Sequence, residues 1–290
     1  MDFQEFCNEL KSSLEKRMMK EVRVFERKMN NSVVTHGFYV VDPDMSISSV
    51  LYFENWYKRF QGGYDMETIV NDIIKIIEED RVTTAGNSIV ENLRNFEIVK
   101  NSIIYCLVNY EKNKERLKGY IYERFLDLAK VYYVNMTLTD RSMGKVMIRK
   151  EMLRIWGVNE NIVKQCGEKN TPEIYPVQCM CLQQNPLGDE TDDEGKSLKM
   201  ILVSNVTMHE GARVMVYPDM MKKLAEKEQS DLFIIPSSVH EILVVPYSEG
   251  EVETLLSMIK DVNSSCIDRE EVLSDSLYIY HRCNDMISLA

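Results

Sequence analysis

The sequence predicts an α+β fold in which mixed or antiparallel sheets are packed by helices. Two observations carry this expectation. Segments with apolar residues at three- and four-residue steps are interspersed with extended apolar runs joined by turn residues. Helices and hairpins occur in both halves of the chain, without the steady β–helix–β alternation that builds a doubly wound parallel sheet.

Phe3, Phe6, Cys7, Leu10, Leu14 and Met18 form one apolar stripe, so an amphipathic helix opens the chain. Val22, Val24 and the run Val33–Val41 flank Asn30-Asn31, two residues that tolerate positive φ, which predicts a hairpin. Leu51–Phe60 reads as a short aromatic-rich helix closed by Gly62-Gly63, with Tyr52, Trp56 and Tyr57 assigned to the core. Asp65 is placed to cap a helix whose inward face is Ile69, Val70, Ile73, Ile76 and Ile77. Residues 80–95 read as a connection. Together these define an N-terminal helix–hairpin–helix region over 1–95 and a larger α+β region over 96–290. No flexible linker divides them, so both can belong to one continuous domain.

In the second region Ile103–Val108 is a strand candidate and Glu111–Leu117 is helix-like. Phe125–Val134 and Lys145–Ile148 flank Thr139–Gly144 as a second hairpin. Two short helices, Lys150–Trp156 and Glu160–Glu168, are separated by Gly157 and capped by Asn159, with Asn170-Thr-Pro172 as their stop. The segment 183–197 gathers Asp189, Glu190, Asp192, Asp193 and Glu194 with few apolar residues, and reads as a mobile acidic surface loop. It lacks the ligand spacing of a calcium loop. Beyond it, Met200–Ser204, Arg213–Tyr217, Asp231–Ile235, His240–Pro246 and Leu277–Tyr280 are strand candidates, with helices at Pro218–Lys227 and Glu249–Val262.

Charge and composition narrow the function. There are 46 acidic against 35 basic residues, a net charge of -11, and from Glu241 to the end ten acids face three bases. That balance argues against nucleic acid as a partner, because phosphate affinity comes from clustered Lys and Arg. No apolar run reaches the length of a membrane helix, and the start, MDFQEFCNEL, lacks the basic-then-apolar order of a signal peptide. Seven cysteines without framework spacing fit reduced thiols in a cytoplasm. The glycine-rich nucleotide cradles and the Gly-x-Ser-x-Gly elbow are absent, and no cofactor is expected. His209-Glu210 and His240-Glu241 each begin a zincin motif, but Arg213 and Val244 stand where the second histidine belongs. Cys179 and Cys181 share one side of an extended segment and are the only metal candidates, more simply read as structural thiols. The densest polar constellation is Pro236–Glu241. There Ser237, Ser238, His240 and Glu241 suit acid–base or nucleophilic chemistry if an acid from another segment joins them. The competing reading makes the serines turn residues that bond local backbone after Pro236.

A set of short motifs carries a resemblance over nearly the whole chain. They are Asn109-Tyr-Glu, Phe125-Leu-Asp-Leu-Ala, Asn170-Thr-Pro, Gly211-Ala, Tyr217-Pro and Pro236-Ser-Ser-Val-His-Glu, closing with Glu271-Val-Leu-Ser-Asp and Tyr278-Ile-Tyr. The sequence resembles the bacterial family called domain of unknown function 5688, and over residues 120–250, more remotely, the family called domain of unknown function 1444. Neither resemblance implies an activity, a cofactor or catalytic residues. Around Ile148–Met152 the chain lacks the histidine that the first family's pattern carries, which argues against an indispensable ligand there. The expectation is therefore a non-enzymatic cytoplasmic interaction or regulatory protein of a bacterium or its mobile element, whose partner is another protein. The alternatives are a hydrolase or transferase centred on Ser237, Ser238, His240 and Glu241, and an acidic anti-defence protein.

Overall fold

A computed structural model describes residues 1–43, 49–83, 91–139, 142–182, 200–236 and 238–290. The acidic segment 183–197 and Ser237 lie outside the described residues. The fold is α+β, every described strand pair is antiparallel, and the chain divides into two compact units.

The first unit comprises residues 1–98 and 136–144. Helix α1 (Phe3–Met18) starts in a capping box, in which the Asp2 carboxylate accepts the Glu5 N–H and the Glu5 carboxylate accepts the Asp2 N–H. Strands β1 (Val22–Lys28) and β2 (Val34–Val40) pair through a turn at Asn30–Ser32, where Asn31 and Ser32 take positive φ. The two-residue β3 (Leu51–Tyr52) adds to β2 and runs into α2 (Phe53–Gln61). Asp65 caps α3 (Met66–Thr83), accepting the Thr68 N–H at 2.7 Å. Phe6, Leu10 and Leu14 of α1, Phe38 of β2, Phe53 and Trp56 of α2, and Ile69 and Ile73 of α3 form one core. Each such side chain, fully buried, contributes roughly 1.5–3 kcal/mol. Tyr52, expected inside, stays outside this core and accepts a hydrogen bond from Arg27, because β3 turns it to the opposite face from Leu51.

The second unit comprises residues 99–135 and 145–290. Strand β4 (Ile103–Asn109) is buried at every position, which explains its unbroken apolar run. It pairs with β6 (Leu128–Thr139), which also pairs with β5 (Tyr122–Phe125) and β7 (Ser142–Met147). The single strand expected over Phe125–Val134 is broken by a turn at Leu126-Asp127, with Leu126 at φ 52°. The turn holds because the Asp127 carboxylate accepts the hydroxyls of Ser274 (2.5 Å), Ser276 (3.3 Å) and Tyr278 (2.7 Å).

Helix α4 (Lys150–Trp156) ends at Gly157 with φ 67°, and Asn159 caps α5 (Glu160–Ile174). Pro172 does not stop α5, which runs on to Ile174. Thr171 and Asn170 anchor that last stretch. The Thr171 hydroxyl accepts the Tyr105 N–H at 3.0 Å and donates to the Gly167 carbonyl, while Asn170 donates to the carbonyls of Lys100 and Ile103.

A six-stranded sheet follows, in the order β13-β12-β10-β11-β9-β8, from β8 (Val177–Leu182), β9 (Met200–Asn205), β10 (Leu232–Ile235), β11 (Ile242–Pro246), β12 (Tyr278–His281) and β13 (Met286–Leu289). Helix α6 (Met220–Glu228) leads into β10, and α7 (Val252–Ser265) packs Leu255 and Ile259 on Phe233, Ile235 and Val245. The strand expected at Arg213–Tyr217 is replaced by a 3₁₀ segment, Gly211–Val216. In this winding Gly211, Ala212, Arg213, Val214 and Met215 are all buried in succession, where a half-buried strand would alternate.

Candidate functional site

The Pro236–Glu241 segment links β10 to β11. Ser238, 3% exposed, donates to the Glu241 carboxylate at 2.8 Å and accepts the His240 N–H at 3.0 Å. This is a local turn closed by side chains. Backbone bonds tie the segment down further: the Val239 N–H donates to the Glu271 carbonyl, and the Val239 and His240 carbonyls accept the N–H groups of Ala212 and Gly211. Ser204 donates to the same His240 carbonyl at 2.7 Å.

The His240 ring makes its contacts with other segments. Its Nδ1 accepts the Glu210 backbone N–H at 3.1 Å, and Nε2 lies 3.3 Å from the Glu271 carboxylate. An accepting Nδ1 assigns the proton to Nε2, so that His240 donates to Glu271. Glu271 is thus an acid brought from another segment to the imidazole, which local spacing did not reveal. His209 lies beside it with ring centroids 5.0 Å apart and the rings tilted by 38°. Burial holds His209 below the ordinary imidazole range, helped by repulsion from His240 when that ring is protonated and from Lys145 and Arg213, and opposed by Glu271.

A second polar cluster adjoins the first. Glu210, at φ 50°, directs its carboxylate toward three groups. Oε2 accepts from Arg213 Nη2 at 3.1 Å and from the Cys106 thiol at 3.2 Å, while Oε1 contacts Lys145 Nζ. Arg213, only 1% exposed, also donates to the carbonyls of Glu210 (2.7 Å) and Tyr105 (3.1 Å) and lies over the Tyr175 ring. Lys145 Nζ sits 4.0 Å from Cys106 Sγ and 4.9 Å from the centre of the Tyr133 ring. Burial lowers the Lys145 ammonium, opposed by the neighbouring Cys106 and reinforced by the positive charges of Arg213 and Arg116. The sequence held one clue to this cluster, a single arginine inside the apolar run Gly211–Val216, since a charge in such a run has to be buried with a partner.

Cys179 and Cys181 are both exposed on β8, an edge strand of the six-stranded sheet. No group of three His, Cys, Asp or Glu side chains positioned for a metal ion occurs among the described residues. No helix among them is long and apolar enough to cross a membrane.

The model of the family of unknown function DUF5688 matches residues 3–282, nearly the whole chain. The protein belongs to this family. No curated protein and no solved structure matches it. The short motifs by which the DUF5688 resemblance is recognised have a shared physical role in this fold. Asn109 donates to the Leu273 carbonyl, Asp127 gathers three hydroxyls, and Asn170 and Thr171 lock α5 to β4. Tyr217 donates to the carbonyls of Thr171 and Tyr175, and Gly211 lies against Ser204 and His240. The short segments that carry the resemblance therefore fall largely on polar braces between distant segments, where unpaired groups cost about 1–3 kcal/mol each.

Proposed function

We propose that this DUF5688 protein is a non-enzymatic cytoplasmic interaction or regulatory protein of a bacterium or its mobile element, acting through another protein. The observation that supports this reading is the commitment of His240. One ring nitrogen accepts a backbone N–H and the other faces Glu271, so neither is left to take a proton from a nucleophile. Ser238 is bound to Glu241 and to backbone, not to the imidazole. The polar residues of the segment brace a junction of strands.

The test is purification of the tagged, full-length protein from its own cells, with mass spectrometry of both proteins and small molecules. A stoichiometric protein partner, retained by His240→Gln, is the expected result. A monomeric protein that carries nothing specific would sink the proposal.

One observation favours the hydrolase or transferase reading centred on Ser237, Ser238, His240 and Glu241. Glu271 supplies the acid from another segment, and the His240 side chain is 22% exposed. A small molecule that copurifies and is lost on His240→Ala would favour that reading. The anti-defence reading draws less support. Of the carboxylates it would present, Glu241, Glu271, Asp275 and Asp285 already pair with Ser238, His240, Asn263 and Tyr280.

A further inference from the structure

The Cys106–Lys145–Glu210 cluster plays no part in the proposed interaction role, yet it places a thiol, an amine and a carboxylate within contact of one another. Cys106 Sγ is 3.2 Å from Glu210 Oε2 and 4.0 Å from Lys145 Nζ, and that ammonium touches the other oxygen of the same carboxylate. One base thus reaches both the thiol proton and the amine proton. Cys106 is fixed on β4 and 2% exposed, whereas the Lys145 side chain, on β7, is 33% exposed. The thiol therefore lies beside a partly exposed lysine whose long, flexible chain carries the amine 4.0 Å from the sulfur.

We propose that Cys106 and Lys145 are a modification site, at which peroxide forms a reversible sulfenamide between β4 and β7. In the first step Glu210 takes the thiol proton and the thiolate attacks hydrogen peroxide. An S–O bond forms, the O–O bond breaks, and the departing hydroxide recovers the proton as water. Sulfur is oxidised by two electrons and peroxide is reduced. In the second step Lys145, having given its extra proton to Glu210, attacks the sulfenic sulfur. The S–N bond forms, the S–O bond breaks, and the hydroxyl leaves as water with a proton from the carboxyl group. The carboxylate so regenerated takes one of the two protons left on nitrogen, and the other stays, so the product is a neutral S–NH link. Condensation of a sulfenic acid with a nearby nitrogen is a recognised step of cysteine oxidation. One equivalent of an external dithiol, or two of a monothiol, reverses it, giving back the thiol and the amine.

The experiment treats the folded, fully reduced full-length protein with hydrogen peroxide, blocks free thiols, and maps cross-linked peptides by mass spectrometry. The expected result is a linked pair containing Cys106 and Lys145, lighter than the sum of its parts by two hydrogens and absent after dithiothreitol. Lys145→Arg keeps the positive charge. It should abolish the link while leaving a Cys106 sulfenic acid that dimedone captures. Glu210→Gln should slow both steps. The proposal is overturned if Cys106 stays reduced under peroxide that oxidises the exposed Cys179 and Cys181. It is equally overturned if the linked pair carries an added oxygen, or if Lys145→Arg leaves the two-hydrogen loss in place.

Discussion

At Gly211 the backbone passes so close to its neighbours that a methyl group has nowhere to go. A Cβ there would lie 2.0 Å from the Ser204 hydroxyl and 2.5 Å from the His240 carbonyl. The first contact can be relieved by removing a side chain, but the second is backbone. Gly211→Ala should therefore destabilise the protein by about 1–3 kcal/mol, the usual range for overpacking. Ser204→Ala introduced alongside it should recover only part of that loss. Urea unfolding of the single and double variants measures both, and an unchanged midpoint for Gly211→Ala would mean that the close approach is not real. One residue earlier the electrostatics take over. Glu210 is the carboxylate partner of the buried Arg213, so Glu210→Ala leaves a guanidinium uncompensated and should cost about 3–5 kcal/mol. Adding Arg213→Met should return a good part of it, since an apolar chain of similar length has no charge to desolvate. A double variant no more stable than Glu210→Ala would refute that account.

Between elements, a few hydroxyls and amides do the joining. Thr171 is the link from α5 to β4, because its oxygen is the acceptor for the buried Tyr105 N–H. Thr171→Val preserves shape but orphans that donor, so a loss of about 1–3 kcal/mol is expected, with Thr171→Ser much closer to wild type. Equal effects of Val and Ser in thermal unfolding would show that packing of the methyl group decides stability there. This also explains how far the sequence could be read. The stripe of α1, the capped start of α3 and the apolar run of β4 are local patterns, and each is legible because the burial that produces it repeats within one element. The turn at Leu126, the continuation of α5 through Pro172 and the 3₁₀ winding after Glu210 depend on Tyr278, Tyr105 and other residues far along the chain. Local propensity carries no trace of those partners. The Pro236–Glu241 segment stood out for the same reason in reverse, as polar residues crowded between apolar strands, while its long-range partners Ser204, Glu210 and Glu271 did not.

Across the whole molecule, the two units have separate hydrophobic cores, and the chain's two tryptophans are divided between them. Trp56 is buried in the first unit and Trp156 in the second. This gives the histidine chemistry a readable consequence. His209, in the second unit, has its folded-state pKa lowered, first by burial and then by neighbouring positive charge. In the unfolded chain it titrates near 6.5. As pH falls through about 6.5 the unfolded state therefore binds a proton that the folded state refuses, and stability drops. The decline ends once pH passes below the folded-state value, and the full contribution is present above the unfolded one. His209→Gln should flatten stability against pH on the acid side of about 6.5 while changing little at pH 8. In single-tryptophan variants, made with Trp56→Phe or Trp156→Phe, the flattening should appear in the Trp156 transition and not in the Trp56 transition. The two cores belong to different units, so each tryptophan reports the unfolding of its own. If both tryptophans instead report one transition that shifts equally with pH, the chain unfolds as a single cooperative body, and the independence inferred from its cores is wrong.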